Sequence, residues 1–261
     1  LSKIGVFDSG IGGLSVLSEA LSKAPGHDYI YLADSLHAPY GEKSPEWITQ
    51  RSLTLCTWLV SQACEVIVVA CNTATAEAVA QVRKKFPSIP IVGVEPGIKP
   101  ASEISEKKIV GVLATQNTLR SEKFRQLLIS LGSNCEFIQQ AGIGLVPLIE
   151  EGIFSGDRIE ALLVEYIVPM IEHGADTIVL GCTHYPFLQP TIKNMFGDRI
   201  EIIDTSEAVV RQLVRIAPPA TKHQGALVFY STKNGEQLEV LAKKLVSHPS
   251  LQRATSCTVN L

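Results

Sequence analysis

The chain has 261 residues, 46% of them hydrophobic, 19% charged and 6% aromatic, with 14 prolines, a length that fits one large or two small domains with a sizeable core. A net charge of −3 and a pI near 6.1 give no basic excess for a polyanionic partner. The longest apolar runs, such as Val66–Ala70, are strand-sized and well short of the roughly 20 residues of a membrane helix.

In chain order, β-branched apolar runs predict strands at Lys3–Phe7, Asp28–Leu32, Val66–Ala70, Ile89–Val94, Lys108–Leu113, Asn134–Gln139, Thr177–Leu180, Ile200–Ile203 and Leu227–Tyr230. Helix-period segments lie between them at Gly13–Ala24, Ser44–Gln62, Thr73–Phe86, Ser121–Leu131, Arg158–His173 and Ser206–Ile216. Ser44-Pro45-Glu46 sets a cap, a first-turn proline and an acid in order, and Thr205-Ser206-Glu207 offers a similar start. The opening run ends on charged Asp8, unlike a signal peptide. A soluble, cytoplasmic α/β protein with largely parallel sheets is expected, with neither nucleic acid nor membrane as a partner.

A weak internal repeat refines this. Lys3–Ser9 followed by a helix resembles Lys108–Thr115 followed by another, and Val66–Thr73 resembles Thr177–His184. Ser9 and Thr115 lie 106 residues apart, and Cys71 and Cys182 lie 111 apart, so one duplication fits both pairs. Two similar domains follow, 1–95 plus 207–261 and 96–206, each a mostly parallel sheet flanked by helices. Expected is a pseudo-twofold relation with the active site in the cleft between them. Pro96–Pro100 reads as the crossing linker and Asp204–Ser206 as the return.

The six cysteines form no C-x-x-C pair and are too sparse for a disulfide scaffold, and Cys182-x-His184 lacks a second pair of metal ligands. Cys56, Cys64, Cys135 and Cys257 read as small buried hydrophobes. Cys71 and Cys182 differ because each ends a strand.

Ligands of open parallel sheets bind beyond the carboxyl ends of the strands. Those ends carry Asp8-Ser9-Gly10, Cys71-Asn72-Thr73, Thr115 and Cys182-Thr183-His184. Hydroxyls, amides and free N–H groups at helix starts suit a small anion. Gly10-Ile11-Gly12-Gly13 lacks both the dinucleotide spacing and a Walker lysine, so a tight strand-to-helix turn accounts for it. Two thiols at equivalent places in two halves suit proton removal from one face of a carbon and delivery to the other. Asp8 is a candidate partner for Cys71, with a turn or cap as its ordinary reading. His184, and less securely Glu150, are candidates for Cys182, against a structural histidine and a surface acid. Acid–base help of roughly 100- to 10,000-fold cannot alone ionise an amino-acid Cα–H. Donors from Ser9, Thr73 and Thr183 would have to stabilise the carbanion. The residues alone lead to a racemase or epimerase of a small carboxylate. A dithiol redox protein and a non-catalytic anion-binding module are the rivals.

Four motifs carry a resemblance along nearly the whole chain: Gly5–Gly13, Ala33-Asp34 with Pro39–Ser44, Val69–Thr75 and Leu180–Pro186. In this order they resemble the glutamate racemases of the aspartate/glutamate racemase family. The resemblance implies conversion of L-glutamate to D-glutamate for peptidoglycan, without pyridoxal phosphate or metal. It implies that Cys71 serves the D side, assisted by Asp8, and Cys182 the L side, assisted by His184 and Glu150. It also implies a pocket lined by Asp8, Ser9, Pro39, Tyr40, Gly41, Asn72, Thr73, Thr115, Thr118, Thr183 and His184. Related aspartate racemases usually carry glutamate where this chain has His184, which favours glutamate over the alternative of an aspartate racemase. Dimers recur in that family, so a homodimer is an expectation.

Overall fold

The computed structural model describes residues 2–131, 134–220 and 225–261, and the chain divides into two units. The first holds Leu1–Val94 and Ser206–Leu261, the second Glu95–Thr205. The first opens with β1 (Lys3–Asp8), α1 (Leu14–Lys23), β2 (Asp28–Ala33), a 3-10 turn (Tyr40–Glu42), α2 (Pro45–Ser61), β3 (Val66–Val69), α3 (Asn72–Lys85) and β4 (Ile91–Gly93). The second contains α4 (Ile98–Ile104), β5 (Ile109–Ala114), α5 (Gln116–Arg120), α6 (Glu122–Leu131) and β6 (Glu136–Ala141). It continues through α7 (Leu145–Glu150), α8 (Asp157–Glu172), β7 (Thr177–Gly181), a 3-10 turn (Tyr185–Leu188), α9 (Gln189–Phe196) and β8 (Glu201–Ile203). The chain then returns to the first unit with α10 (Ser206–Ile216), β9 (Leu227–Ser231), α11 (Gly235–Leu245) and β10 (Thr255–Thr258).

Both sheets are parallel throughout their described pairings. The first unit has strand order β10-β9-β2-β1-β3-β4 and the second β6-β5-β7-β8. Four consecutive strands therefore repeat one order, second-first-third-fourth, as the duplicated motifs anticipate. The repeat extends to packing. Gly5 in β1 and Gly111 in β5 stand at matching places, and each lets a neighbouring side chain approach the strand. A Cβ on Gly5 would meet Leu59 Cδ2 at 3.0 Å, and one on Gly111 would meet Met170 Sδ at 2.5 Å.

Helix α2 starts as its sequence demands: the Ser44 hydroxyl accepts from the Trp47 N–H and Pro45 opens the first turn. It buries Ile48, Leu55, Cys56 and Leu59 in a cluster with Phe7, Leu32, Ile67 and Val69 of the first sheet. Truncating a leucine such as Leu55 there would cost about 2–5 kcal/mol. In the second unit, Val110, Val112, Ala114 and Val179 pack with Ile98, Ala101 and Phe124.

Several expectations need correction. The Pro96–Pro100 stretch is not a bare linker, because α4 begins at Ile98. The strand expected at Asn134–Gln139 runs over Glu136–Ala141 instead, and the one at Ile89–Val94 shortens to Ile91–Gly93. Cys135 is only partly buried and Cys257 is exposed, since the first precedes edge strand β6 and the second lies on edge strand β10.

Candidate functional site

In each unit the connection after the first strand runs to the second on one side, and the connection after the third runs to the fourth on the other. That reversal is where open parallel sheets present the loops that bind ligands. Between β1 and β3 the loops carry Asp8-Ser9 and Cys71; between β5 and β7 they carry Thr115 and Cys182.

In the first unit, Cys71 caps the N-terminus of the 14-residue helix α3, its sulfur accepting from the Ala74 N–H at 3.4 Å. A helix start with its N–H groups aimed at sulfur favours negative charge there. The Ser9 hydroxyl oxygen lies 3.7 Å from the same sulfur. Asp8, fully buried, accepts from the Gly10 N–H at 2.9 Å. The Gly10–Gly13 turn is shaped by space: a Cβ on Gly13 would meet the Asp8 Cβ at 2.8 Å and the Ala70 Cβ at 3.0 Å. Asn72 and Thr73 follow Cys71 and are buried, and among the described residues neither amide atom of the Asn72 side chain has a hydrogen-bond partner. A buried amide left in this state costs about 1–3 kcal/mol. Pro39 and Gly41 are half-buried around the buried Tyr40, whose hydroxyl donates to Asp34 at 2.5 Å. Burial, then the Asp34 charge, pushes the Tyr40 hydroxyl well above its ordinary pKa.

In the second unit the surroundings of sulfur differ. No α-helix follows Cys182; a bend leads into the 3-10 turn Tyr185–Leu188, and α9 begins only at Gln189. The α-helix start expected beside this cysteine is thus absent, and a 3-10 turn stands in its place. His184 lies beside the sulfur. Its Nδ1 lies 3.8 Å from Cys182 Sγ and its Nε2 2.6 Å from Glu150 Oε1. Burial opposes a charged imidazole, but the bonds to Cys182 and Glu150 outweigh it and hold the His184 pKa well above the usual value. These two contacts favour the protonated form of the ring, which has an N–H to offer each neighbour. Glu150 is the last residue of α7, whereas its neighbour Glu151 faces Arg158 at the surface. The Tyr185 and Tyr166 hydroxyls donate to the Gly142 and Ile143 carbonyls just before α7. Thr115 caps α5, its hydroxyl oxygen accepting from the Thr118 N–H at 3.2 Å and lying 2.9 Å from the Thr118 hydroxyl. Thr183 is buried between Cys182 and His184 in sequence.

Cys56 and Cys64 serve as a contrast: burial pushes both thiols up to about 12, as expected of packing groups. Among the described residues no cluster of three His, Cys, Asp or Glu side chains is disposed to hold a metal ion. Among them, too, no helix is long and apolar enough to cross a membrane. The sequence reading gave no role to Asp34, Arg51, His37 or Thr232, whose polar cluster adjoins Tyr40. The only signal was the place of Asp34 in the Ala33–Ser44 motif.

Residues 9–213 match the protein family described as Asp/Glu/Hydantoin racemase. A glutamate racemase of Cupriavidus pinatubonensis is 50% identical over 251 residues, covering 93% of this chain and 91% of that protein. The crystal structure of Escherichia coli glutamate racemase with L-glutamate and the activator UDP-MurNAc-ala is similar, with a TM-score of 0.84 at 29% identity, covering 99% of this chain and 98% of that one. The Francisella tularensis glutamate racemase in complex with D-glutamate gives a TM-score of 0.83 at 27% identity, covering 100% and 97% respectively. With its repeated parallel-sheet units and a cysteine at the strand reversal of each, the chain belongs to the Asp/Glu/Hydantoin racemase family.

Proposed function

We propose that this chain interconverts L- and D-glutamate by moving protons between the substrate α-carbon and two thiols. The observation that carries the reading is the recurrence of one cysteine past the third strand of each repeated unit, each with its own charge-stabilising surroundings. A single base cannot readily serve both faces of a stereocentre, so inversion profits from two.

In the L-to-D direction the Cys182 thiolate takes the α-proton and becomes a thiol. The electron pair spreads into the substrate carboxylate. The Cys71 thiol then delivers its proton to the opposite face and is left as thiolate. The D-to-L direction reverses every transfer. His184, held by Glu150, supports charge on Cys182, and Asp8 assists Cys71. Donors from Ser9, Thr73 and Thr183 stabilise the enediolate-like intermediate. Asp8, Ser9, Pro39, Tyr40, Gly41, Asn72, Thr73, Thr115, Thr118, Thr183 and His184 line the substrate pocket in this reading. The unpartnered amide of Asn72 supports it, since a polar ligand would relieve that cost. Glutamate is favoured over aspartate by His184 in the second cysteine motif and by the names of the relatives. The product would feed peptidoglycan synthesis in the cytoplasm, and a homodimer belongs to the same proposal.

Circular dichroism of the purified protein with L-glutamate, D-glutamate and L-aspartate tests this. Loss of optical activity from both glutamate enantiomers is expected. Inversion of aspartate alone would overturn the assignment.

A further inference from the structure

The racemase reading leaves unexplained a charged pair buried beside the Pro39–Tyr40–Gly41 segment. Asp34 follows β2 directly and is fully buried. Its Oδ2 accepts from the Tyr40 hydroxyl at 2.5 Å and from Arg51 Nε at 2.8 Å. Its Oδ1 accepts from Arg51 Nη2 at 2.6 Å and the Thr232 hydroxyl at 2.9 Å, and lies 3.0 Å from His37 Nδ1. The Asp34 N–H donates to the Asp8 carbonyl at 3.0 Å. One carboxylate thus ties the 3-10 turn Tyr40–Glu42, helix α2, the turn after β2 and the turn after β9. Arg51 extends the tie by donating from Nη1 to the Leu261 carbonyl at 2.7 Å.

Stability alone does not call for this pair. A buried ion pair is often no more stable than apolar residues of the same volume, whereas removing one partner is costly. What the arrangement supplies is geometry. A bidentate guanidinium fixes the carboxylate in a plane, and the carboxylate fixes the Tyr40 hydroxyl. Burial pushes the Asp34 carboxyl up, but Arg51, Tyr40 and His37 outweigh it and keep the group below its ordinary pKa. The Tyr40 ring is held from another direction by Trp47, edge-on at 5.4 Å.

We infer that Asp34 and Arg51 are positioning residues, which set the backbone of Pro39–Tyr40–Gly41 for glutamate through the Tyr40 hydroxyl. The inference rests on the racemase reading for its substrate. Arg51→Lys keeps the charge but loses the fork, and Tyr40→Phe removes only the hydroxyl. Steady-state kinetics should show KM for both enantiomers raised about tenfold in Arg51→Lys and about fivefold in Tyr40→Phe, with kcat within about threefold of wild type. Hydrogen–deuterium exchange over residues 36–43 should quicken in both variants, with α3 unchanged. Unaltered KM and unaltered exchange overturn the inference. So does a kcat that falls only with the folded fraction while KM holds, the behaviour of a purely structural pair. If Arg51→Lys does not fold, Tyr40→Phe decides alone. A wild-type protein that fails to invert glutamate refutes the proposed function. The exchange measurement still decides the inference in that case, and wild-type exchange in both variants overturns it.

Discussion

The two units share a strand order and a cysteine position, yet they surround the two sulfurs by different means. Cys71 sits on the N-terminus of a helix of 14 residues and accepts a backbone N–H. Cys182 has a short 3-10 turn after it and a histidine–carboxylate pair beside it, with His184 buried and Glu150 partly so. A helix dipole acts as about half a charge at its end, and a protonated imidazole is a whole one. Where the second unit has a 3-10 turn in place of an α-helix start, a side chain stands beside the sulfur. The two units thus share the place of the thiol and differ in the groups that support charge on it.

The largest expected effect comes from taking the thiols one at a time. Cys71→Ser and Cys182→Ser should each slow racemisation by about 100- to 10,000-fold. An equilibrium constant of one forces kcat/KM to fall equally in both directions, so solvent deuterium entry into the unreacted enantiomer distinguishes the halves. Cys182→Ser should still exchange D-glutamate through Cys71, and Cys71→Ser should still exchange L-glutamate. Identical exchange in the two variants would break the comparison.

A smaller effect is expected of Glu150→Gln. Removing the carboxylate takes away one of the two bonds that raise the His184 pKa, so the imidazolium should be lost at lower pH. An NMR titration of the His184 ring should show a downward shift, with activity down about tenfold. An unmoved titration would show that Cys182 alone sustains the charge.

Stability should depend on pH with opposite signs in the two units. The Asp34 pKa is depressed in the folded protein, so its contribution is present above the ordinary aspartate value of about 3.9 and is lost as pH falls through the folded value. The His184 pKa is raised, so its contribution is complete below about 6.5 and is lost as pH rises through the folded value. Thermal unfolding across pH should show Asp34→Asn converging on wild type in acid and His184→Gln converging on it in alkali. The reverse pattern would contradict the charge states given above.

The smallest effect concerns the matched glycines. Gly5→Ala and Gly111→Ala should each lower stability by about 1–3 kcal/mol in denaturant unfolding. Gly111→Ala should be the milder, because the Met170 thioether can swing aside more readily than the branched end of Leu59. Equal losses would show that the two first strands are packed equally tightly.

The sequence displays its central strands clearly because they are buried on both faces and read as unbroken apolar runs. It conceals β10, whose Thr255–Thr258 has no apolar run and lies at a sheet edge. Helix α11 has a legible start, since the Asn234 side chain caps the Gln237 N–H. Helix α7, Leu145–Glu150, is short, apolar and carries a proline, so no helical period can emerge from it. Its last residue pairs with His184, and that pairing could not be read from positions 34 residues apart.

From the residues alone came the parallel α/β class, the internal repeat and the two cysteines at strand ends. These follow from local periodicity and from polar groups that interrupt apolar runs. Tertiary structure alone decided that Cys71 meets the Ala74 N–H and the Ser9 hydroxyl, that Glu150 rather than Glu151 holds the histidine, and that Asp34 collects four segments at one carboxylate. Such choices depend on distances between residues remote in sequence, and only the packed strands and helices fix those distances.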